Sequence, residues 1–163
     1  MQLADGTRLL VRSLGPADGD LLERFFYRLS ARSVYRRFMS PLSRPTLSMA
    51  RRLLAVDHCA TEALAALHEG EIVGVARYAR GPQGDHDIAV VVADSWQRRG
   101  VSRGLLTLLA RVARLRGIDR FHALMLAENR PAIEMLRQIF PSTRFHPDGT
   151  EVEAEIPLRA GVP

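Results

Sequence analysis

The residues best suited to chemistry sit in one short stretch, WQRRGVSRGLL at positions 96–106, where a run of valines gives way to a leucine-rich segment. Gly100 separates Arg98 and Arg99 from Val101, Ser102 and Arg103. A helix that begins here leaves its first backbone N–H groups without intrahelical acceptors, and its dipole favours negative charge at that end. Glycine lets the backbone enter conformations that side chains resist, so successive N–H groups can line a concavity for an anion such as pyrophosphate. Arg98, Arg99 or Arg103 would add charge around it. The same residues also suit an ordinary strand-to-helix turn, with Ser102 as the helix N-cap and the arginines solvated. Other reactive types are sparse. Cys59, in VDHCAT, reads as a small buried or half-buried thiol, and the histidines at 58, 68, 86, 122 and 146 lack ligand spacing, so no metal is expected.

An anion-binding turn needs a strand to deliver it and a helix to carry it away. HDIAVVVAD is a β-branched run that reads as a strand buried on both faces. A helix from about Ser102 to Arg116 follows, with Leu105, Leu106, Leu108, Leu109, Val112 and Leu115 toward a core and Gly117 as its C-terminal stop. Upstream, residues 7–14 read as a strand and GPAD opens a helix with Leu21, Leu22, Phe25, Phe26 and Leu29 at helical spacing. A short helix around 33–38 and another from Thr46 to about Leu54 come next. EALAALHEGEIVGVARYAR predicts two strands joined at His68-Glu69-Gly70-Glu71. Downstream, FHALMLAE predicts a strand, NRPAIEMLRQIF a helix with Pro131 in its first turn, and RFHPDGTEVEAEIPL a hairpin with an Asp-Gly turn. The predicted architecture is one α/β domain with a mixed central sheet of about six to seven strands flanked by helices.

A buried strand ending in WQRRGVS and leading into a helix resembles the acetyl-CoA-binding motif of the GNAT N-acetyltransferase family. The family pattern, Gln/Arg-x-x-Gly-x-Gly/Ala, is met at Gln97 and Gly100 and departs at Ser102. The order of elements is similar over nearly the whole chain. DGTRLLVRSLGPAD, LSARSVYRRF and VADSWQRRG resemble the branch of bacterial protein-lysine acetyltransferases.

The resemblance implies a GNAT-type fold splayed between its fourth and fifth strands, with acetyl-CoA as acyl donor. Its pyrophosphate would rest on Gln97, Arg98, Arg99, Gly100, Val101, Ser102 and Arg103, and Asn129 would contact the cofactor where the two central strands diverge. The backbone of Ala89, Val90, Val91 and Val92 would pair with the pantetheine arm and polarise the thioester carbonyl. The branch places a glutamate base nine residues before the tryptophan; here that position is Asp87, one methylene shorter, which a water would bridge and which burial beside valines would make more basic. Asp85, His86 and Glu128 are fallback bases. Leu136 stands where many members carry a tyrosine acid, and Phe140-Pro141 replaces a glycine–aromatic helix ending. Tyr35, Arg36, Arg37 and Phe38 fall on the acceptor side, as steering residues for an acidic acceptor or as a solvated helix face. The implied reaction is direct attack by a primary amine, a protein lysine on the branch resemblance, in a ternary complex. A small-molecule amine and a non-catalytic acyl-CoA-binding module are the alternatives. A homodimer through the final hairpin follows from family habit.

Composition agrees with an ordinary globular chain of 163 residues, 47% hydrophobic and 25% charged. All 23 basic residues are arginine, and the net charge is +5. The arginines are dispersed and carry no nucleic-acid signature, so no nucleic-acid partner is expected. No apolar stretch reaches the ~18 residues of a membrane span, and MQLADGTRLL lacks signal-peptide design, so a cytoplasmic location without membrane partners is expected.

Overall fold

A computed structural model describes residues 1–39, 53–81 and 84–158. The chain opens with β1 (Leu10–Ser13), a 3-10 turn (Pro16–Asp18), α1 (Gly19–Tyr27) and α2 (Ala31–Phe38). Then come β2 (Thr61–His68), β3 (Glu71–Arg80), β4 (His86–Val92), a 3-10 turn (Asp94–Trp96) and α3 (Val101–Leu115). β5 (Arg120–Leu126), α4 (Arg130–Ile139), β6 (Arg144–Asp148) and β7 (Glu151–Pro157) complete it. The helix expected from Thr46 lies outside the described residues except for its end at Leu53 and Leu54.

The strands form one seven-stranded sheet in the order β1-β2-β3-β4-β5-β7-β6. Every neighbouring pair is antiparallel except β4 and β5. The β2–β3 hairpin turns at Glu69 and Gly70, both in the left-handed region with φ of 50° and 82°. That geometry matches the twist of the flanking strands.

Two apolar layers sandwich the sheet. On one face α1 buries Leu22, Phe25 and Phe26 against Ala63, Ala65, Leu67, Ile72, Val75 and Val91. On the other, α3 and α4 bury Leu105, Leu106, Leu109, Ala113, Ile133, Leu136 and Ile139 against Ala66, Tyr78, Phe121, Ala154 and Ile156. Leu115, expected to face that core, is instead 89% exposed. It occupies the last turn of α3, where Ala113 and Ile118 already cover the sheet. Among the described residues no helix is long and apolar enough to cross a membrane.

One close approach sets the position of α3. A side chain at Gly74 on β3 would meet Val101 at 3.0 Å, Val92 at 3.1 Å and Leu105 at 3.2 Å. Glycine there lets the first turn of α3 settle directly on the centre of the sheet.

Candidate functional site

The parallel strands β4 and β5 share a single register pair, Asp87 with His122. Beyond it they part, and a cleft of about 380 Å³ opens between them. Val90, Val91 and Val92 line one wall, Gly100 to Arg103 one end, and Asn129, Pro131 and Met135 the far side. Ser33, Arg36 and Arg37 of α2 reach it from above.

The turn into α3 is built from two left-handed residues, Arg98 with φ 60° and Gly100 with φ 89°. A Cβ on Gly100 would meet no atom within 4 Å. Backbone conformation, not crowding, is therefore what asks for glycine here. Gly100 is the N-cap, its carbonyl accepts from the Gly104 N–H at 3.0 Å, and no side chain caps the helix. Ser102 thus lies inside the first turn and is not the cap. The N–H groups of Val101, Ser102 and Arg103 precede that of Gly104, the first to find an intrahelical acceptor, and belong to residues lining the cleft.

The side chains around the turn divide their duties. Gln97 donates through Nε2 to Ser33 Oγ at 3.0 Å and to the Val92 carbonyl at 3.1 Å, tying the turn to α2. Arg98 and Arg103 line the cleft, with Arg103 also donating to Gln138 Oε1 at 3.1 Å. Arg99, expected to add charge at an anion, does not line the cleft. Its guanidinium pairs with Asp5 at 2.7 Å and lies 4.2 Å from the Trp96 ring centroid. The Thr7 backbone N–H and then Arg99 hold the Asp5 carboxyl well below the usual range. Asn129 occupies the N-cap position of α4, yet its side chain makes no cap bond and faces the cleft.

Asp94 fixes α2 above the site. Its carboxylate accepts from the Ser30 N–H at 2.9 Å, Ser30 Oγ at 2.7 Å and Ser33 Oγ at 2.9 Å. Burial pushes this carboxyl up, but these bonds outweigh it and leave it below its ordinary value.

Asp87 does not line the cleft. It opens onto an adjoining groove of about 700 Å³ with Arg37, Arg77, Ala89, His122 and Glu153. Ala89, expected along the acyl donor, is likewise in the groove: residues 87–89 of β4 line the groove and 90–92 the cleft. Asp87 is exposed, so the burial expected to make it more basic is missing. His122 lies between two carboxylates, its Nδ1 3.5 Å from Glu153 and its Nε2 3.6 Å from Asp85. Burial, reinforced by Arg77, pushes the Arg37 guanidinium down to about 10.

The fallback bases are not assembled there. Asp85 and His86 line a separate hollow beside Arg116 and Asp119. Burial and Arg80 push His86 down. Glu128 is exposed beyond the end of β5. Leu136 and Phe140 are buried in the core, so α4 supplies packing where a tyrosine was looked for. Cys59, expected to be at least half buried, is exposed. Arg77, His122 and Glu153 were missed because each reaches the groove through strand register, which no local motif records. The hairpin turns were the available signal: counting outward from them places Arg77 beside Ala89.

The Acetyltransferase (GNAT) family model matches residues 25–140. An acetyltransferase of Pseudomonas aeruginosa is 31% identical over 156 residues, spanning 92% of this chain and 84% of that protein. Acetyltransferase Pat of Mycolicibacterium smegmatis is 28% identical over 134 residues, 79% of this chain but 40% of that longer protein. The crystal structure of the GNAT domain of S. lividans PAT superposes with a TM-score of 0.89 at 30% identity, covering 96% of this chain and 94% of that one.

Proposed function

The chain belongs to the GNAT acetyltransferase family, and on that premise we propose that it transfers an acetyl group from acetyl-CoA to a primary amine, the side chain of a protein lysine, by direct attack with both substrates bound. The observation that carries this reading is the uncapped N-terminus of α3 at Gly100, opening on a cleft that continues along β4 into the groove holding Asp87.

The donor set suits a polyanionic acyl donor. Three backbone N–H groups of the first α3 turn, Arg98 and Arg103 surround the cleft, and Arg36 Nε is buried there without a hydrogen-bond partner among the described residues. The walls at Val90, Val91 and Met135 are apolar. Acetyl-CoA supplies an activated thioester when bound. The chain contributes the rest. β4 stays paired with β3 but loses β5 beyond Asp87, so the β5-facing side of its outer half can bind and orient an extended ligand. Arg98, Arg103 and the α3 dipole hold negative charge at one end.

An acceptor lysine must lose a proton from an ammonium that ordinarily titrates near ~10.4. Asp87, at the mouth of the groove, receives it, through a water where its side chain is short. A thiolate leaves with a conjugate acid of ordinary pKa ~8.5, so the tyrosine absent at Leu136 is not required. Exposure of Asp87 together with the buried Leu136 favours a second reading, an acyl-CoA-binding module without turnover.

Calorimetric titration with acetyl-CoA and with free CoA, comparing wild type with Gly100→Glu, tests the reading. Wild type should bind in the micromolar range and the variant at least about 100-fold more weakly, because a carboxylate would sit at the helix terminus. No binding by folded wild type would sink it. Binding without acetyl release to any amine would favour the second reading.

A further inference from the structure

We infer that His122 relays the acceptor's proton: it takes from Asp87 the proton drawn off the amine and passes it to solvent. This rests on the transferase reading and adds to it the group that returns Asp87 to its charged form.

Strand register places the pair. His122 on β5 stands in register with Asp87 on β4, the single pair those strands share. Neighbouring strands run about 4.8 Å apart, so two residues in register leave the sheet side by side on one face. Both line the groove, where His122 is the only histidine among the described lining residues. Asp87 is exposed, and His122 is sheltered, with 20% of its side chain open to solvent.

The ring is held as a relay needs. Its Nδ1 lies 3.5 Å from Glu153 and its Nε2 3.6 Å from Asp85, both longer than an ordinary N–H···O bond. Nε2 is buried with no hydrogen-bond partner among the described residues. A proton arriving on the ring meets counter-charge from Asp85, Asp87 and Glu153. Glu155, in register with His122 on β7, is taken up by Arg120 and Arg144. Arg37 and Arg77 are the cations of the same groove. Asp85 and Glu153 are 49% and 59% exposed, which gives the proton a way out to water.

The chemistry asks for such a group. Base catalysis is most effective where the base titrates near the working pH, and imidazole is the side chain that does so. In the step, the acceptor ammonium gives one proton through water to Asp87, and His122 takes it on. The freed nitrogen lone pair forms the N–C bond at the thioester carbonyl carbon, the C–S bond breaks, and sulfur keeps its electron pair. The nitrogen's second proton goes to the thiolate. His122 releases its proton to solvent, and both groups are restored. His122 thus acts through Asp87 and does not touch the acceptor.

Two kinds of acceptor test this. A lysine peptide, free lysine and 1,5-diaminopentane are ammonium ions at neutral pH, whereas hydroxylamine is already unprotonated and needs no base. Enzyme-dependent transfer from acetyl-CoA is followed for wild type and for His122→Gln, which keeps hydrogen-bonding groups but cannot carry a proton. His122 belongs to neither apolar layer nor the cleft lining, so the variant should fold and bind free CoA as wild type does. Its kcat should fall about 10²-fold with the ammonium acceptors and stay within about threefold with hydroxylamine. The loss should shrink as pH rises toward about 10, where a lysine amine deprotonates unaided. Asp87→Asn combined with His122→Gln should lose no more than the worse single variant, because the two act in one chain. A merely structural histidine gives the same loss with every acceptor at every pH, and that result overturns the inference. An unchanged kcat, additive losses in the double variant, or a variant that no longer binds CoA overturns it too. So does wild-type transfer to hydroxylamine but to none of the ammonium acceptors. Wild type that binds acetyl-CoA yet transfers to no acceptor would sink the transferase reading and this inference with it, whereas equal losses leave that reading standing.

Discussion

Asp87 on β4 stands in register with His122 on β5, and at that pair the two parallel strands begin to part. Beyond it, toward Val92, lies the cleft. A carboxylate at this point lines the groove that adjoins the cleft. Replacing it with asparagine should lower kcat by about 10²- to 10³-fold and leave acetyl-CoA affinity unchanged. Asp87→Glu restores the methylene and should retain or raise kcat. Steady-state kinetics on the three proteins decides the matter, and an unchanged kcat in Asp87→Asn removes Asp87 as the base.

Gly74→Val would place methyl groups against Val92, Val101 and Leu105, all within 3.2 Å of the first added carbon. Overpacking of this kind costs about 1–3 kcal/mol. Because the strain falls on the first turn of α3, acetyl-CoA affinity should drop along with Tm. Affinity that stays constant while Tm falls would mean that the helix terminus does not set the donor site.

Asp94 holds α2 through Ser30 and Ser33, and α2 carries Arg37 into the groove. Asp94→Ala should cost about 1 kcal/mol, as the loss of a helix-terminus bond does. The KM for the acceptor should rise several-fold more than the KM for acetyl-CoA. An equal rise in both would argue that α2 serves the cleft as a whole.

Glu62 is 1% exposed and binds Arg116 at 2.7 Å, His58 at 3.2 Å and the Ala63 N–H at 3.0 Å. Arg116 also donates to the Tyr78 hydroxyl at 2.7 Å. This network lies at the end of the sheet away from the Gly100 turn. Glu62→Gln leaves Arg116 without its counter-charge and should cost about 3 kcal/mol, a Tm fall of roughly 5–10 °C. Acetyl-CoA affinity of the folded variant should be unaffected.

Acid should expose the same groups. Arg12, through hydrogen bonds to Asp18, holds that carboxyl below its unfolded value of 3.8. Burial pushes Glu62 up, but Arg116 and His58 together leave it below its unfolded 4.5. For both groups the folded state binds fewer protons than the unfolded one. Their stabilisation is therefore fully present above about pH 4.5 and is lost as pH falls through the folded values. Urea unfolding between pH 7 and pH 3 should show stability falling below pH 4.5, and Arg12→Gln should flatten that slope. A profile that is the same in wild type and variant would remove the Asp18 contribution.

Much of the architecture was legible because its causes are local. The β2–β3 turn needs left-handed residues and finds Gly70 there; α3 needs a left-handed start and finds Gly100; α1 repeats its apolar residues at helical spacing. The family motif is of the same kind, since a helix terminus and the residues just before it are joined by the chain itself.

What the sequence by itself determined is thus the order of elements, the place of the strand-to-helix turn at Gly100 and the family. The tertiary structure decided which side chains face which hollow. Arg99 and Arg98 are neighbours in sequence, yet one pairs with Asp5 and the other lines the cleft. Leu115 keeps the helical period and still meets solvent, because Ala113 and Ile118 cover the sheet at that level. Arg37, Arg77, Asp87, His122 and Glu153 come from five elements and meet in one groove through strand register and the seat of α2. Helix starts and turns depend on residues a few positions apart, whereas a groove depends on how distant strands align, and that alignment is settled only when the whole sheet buries its apolar faces.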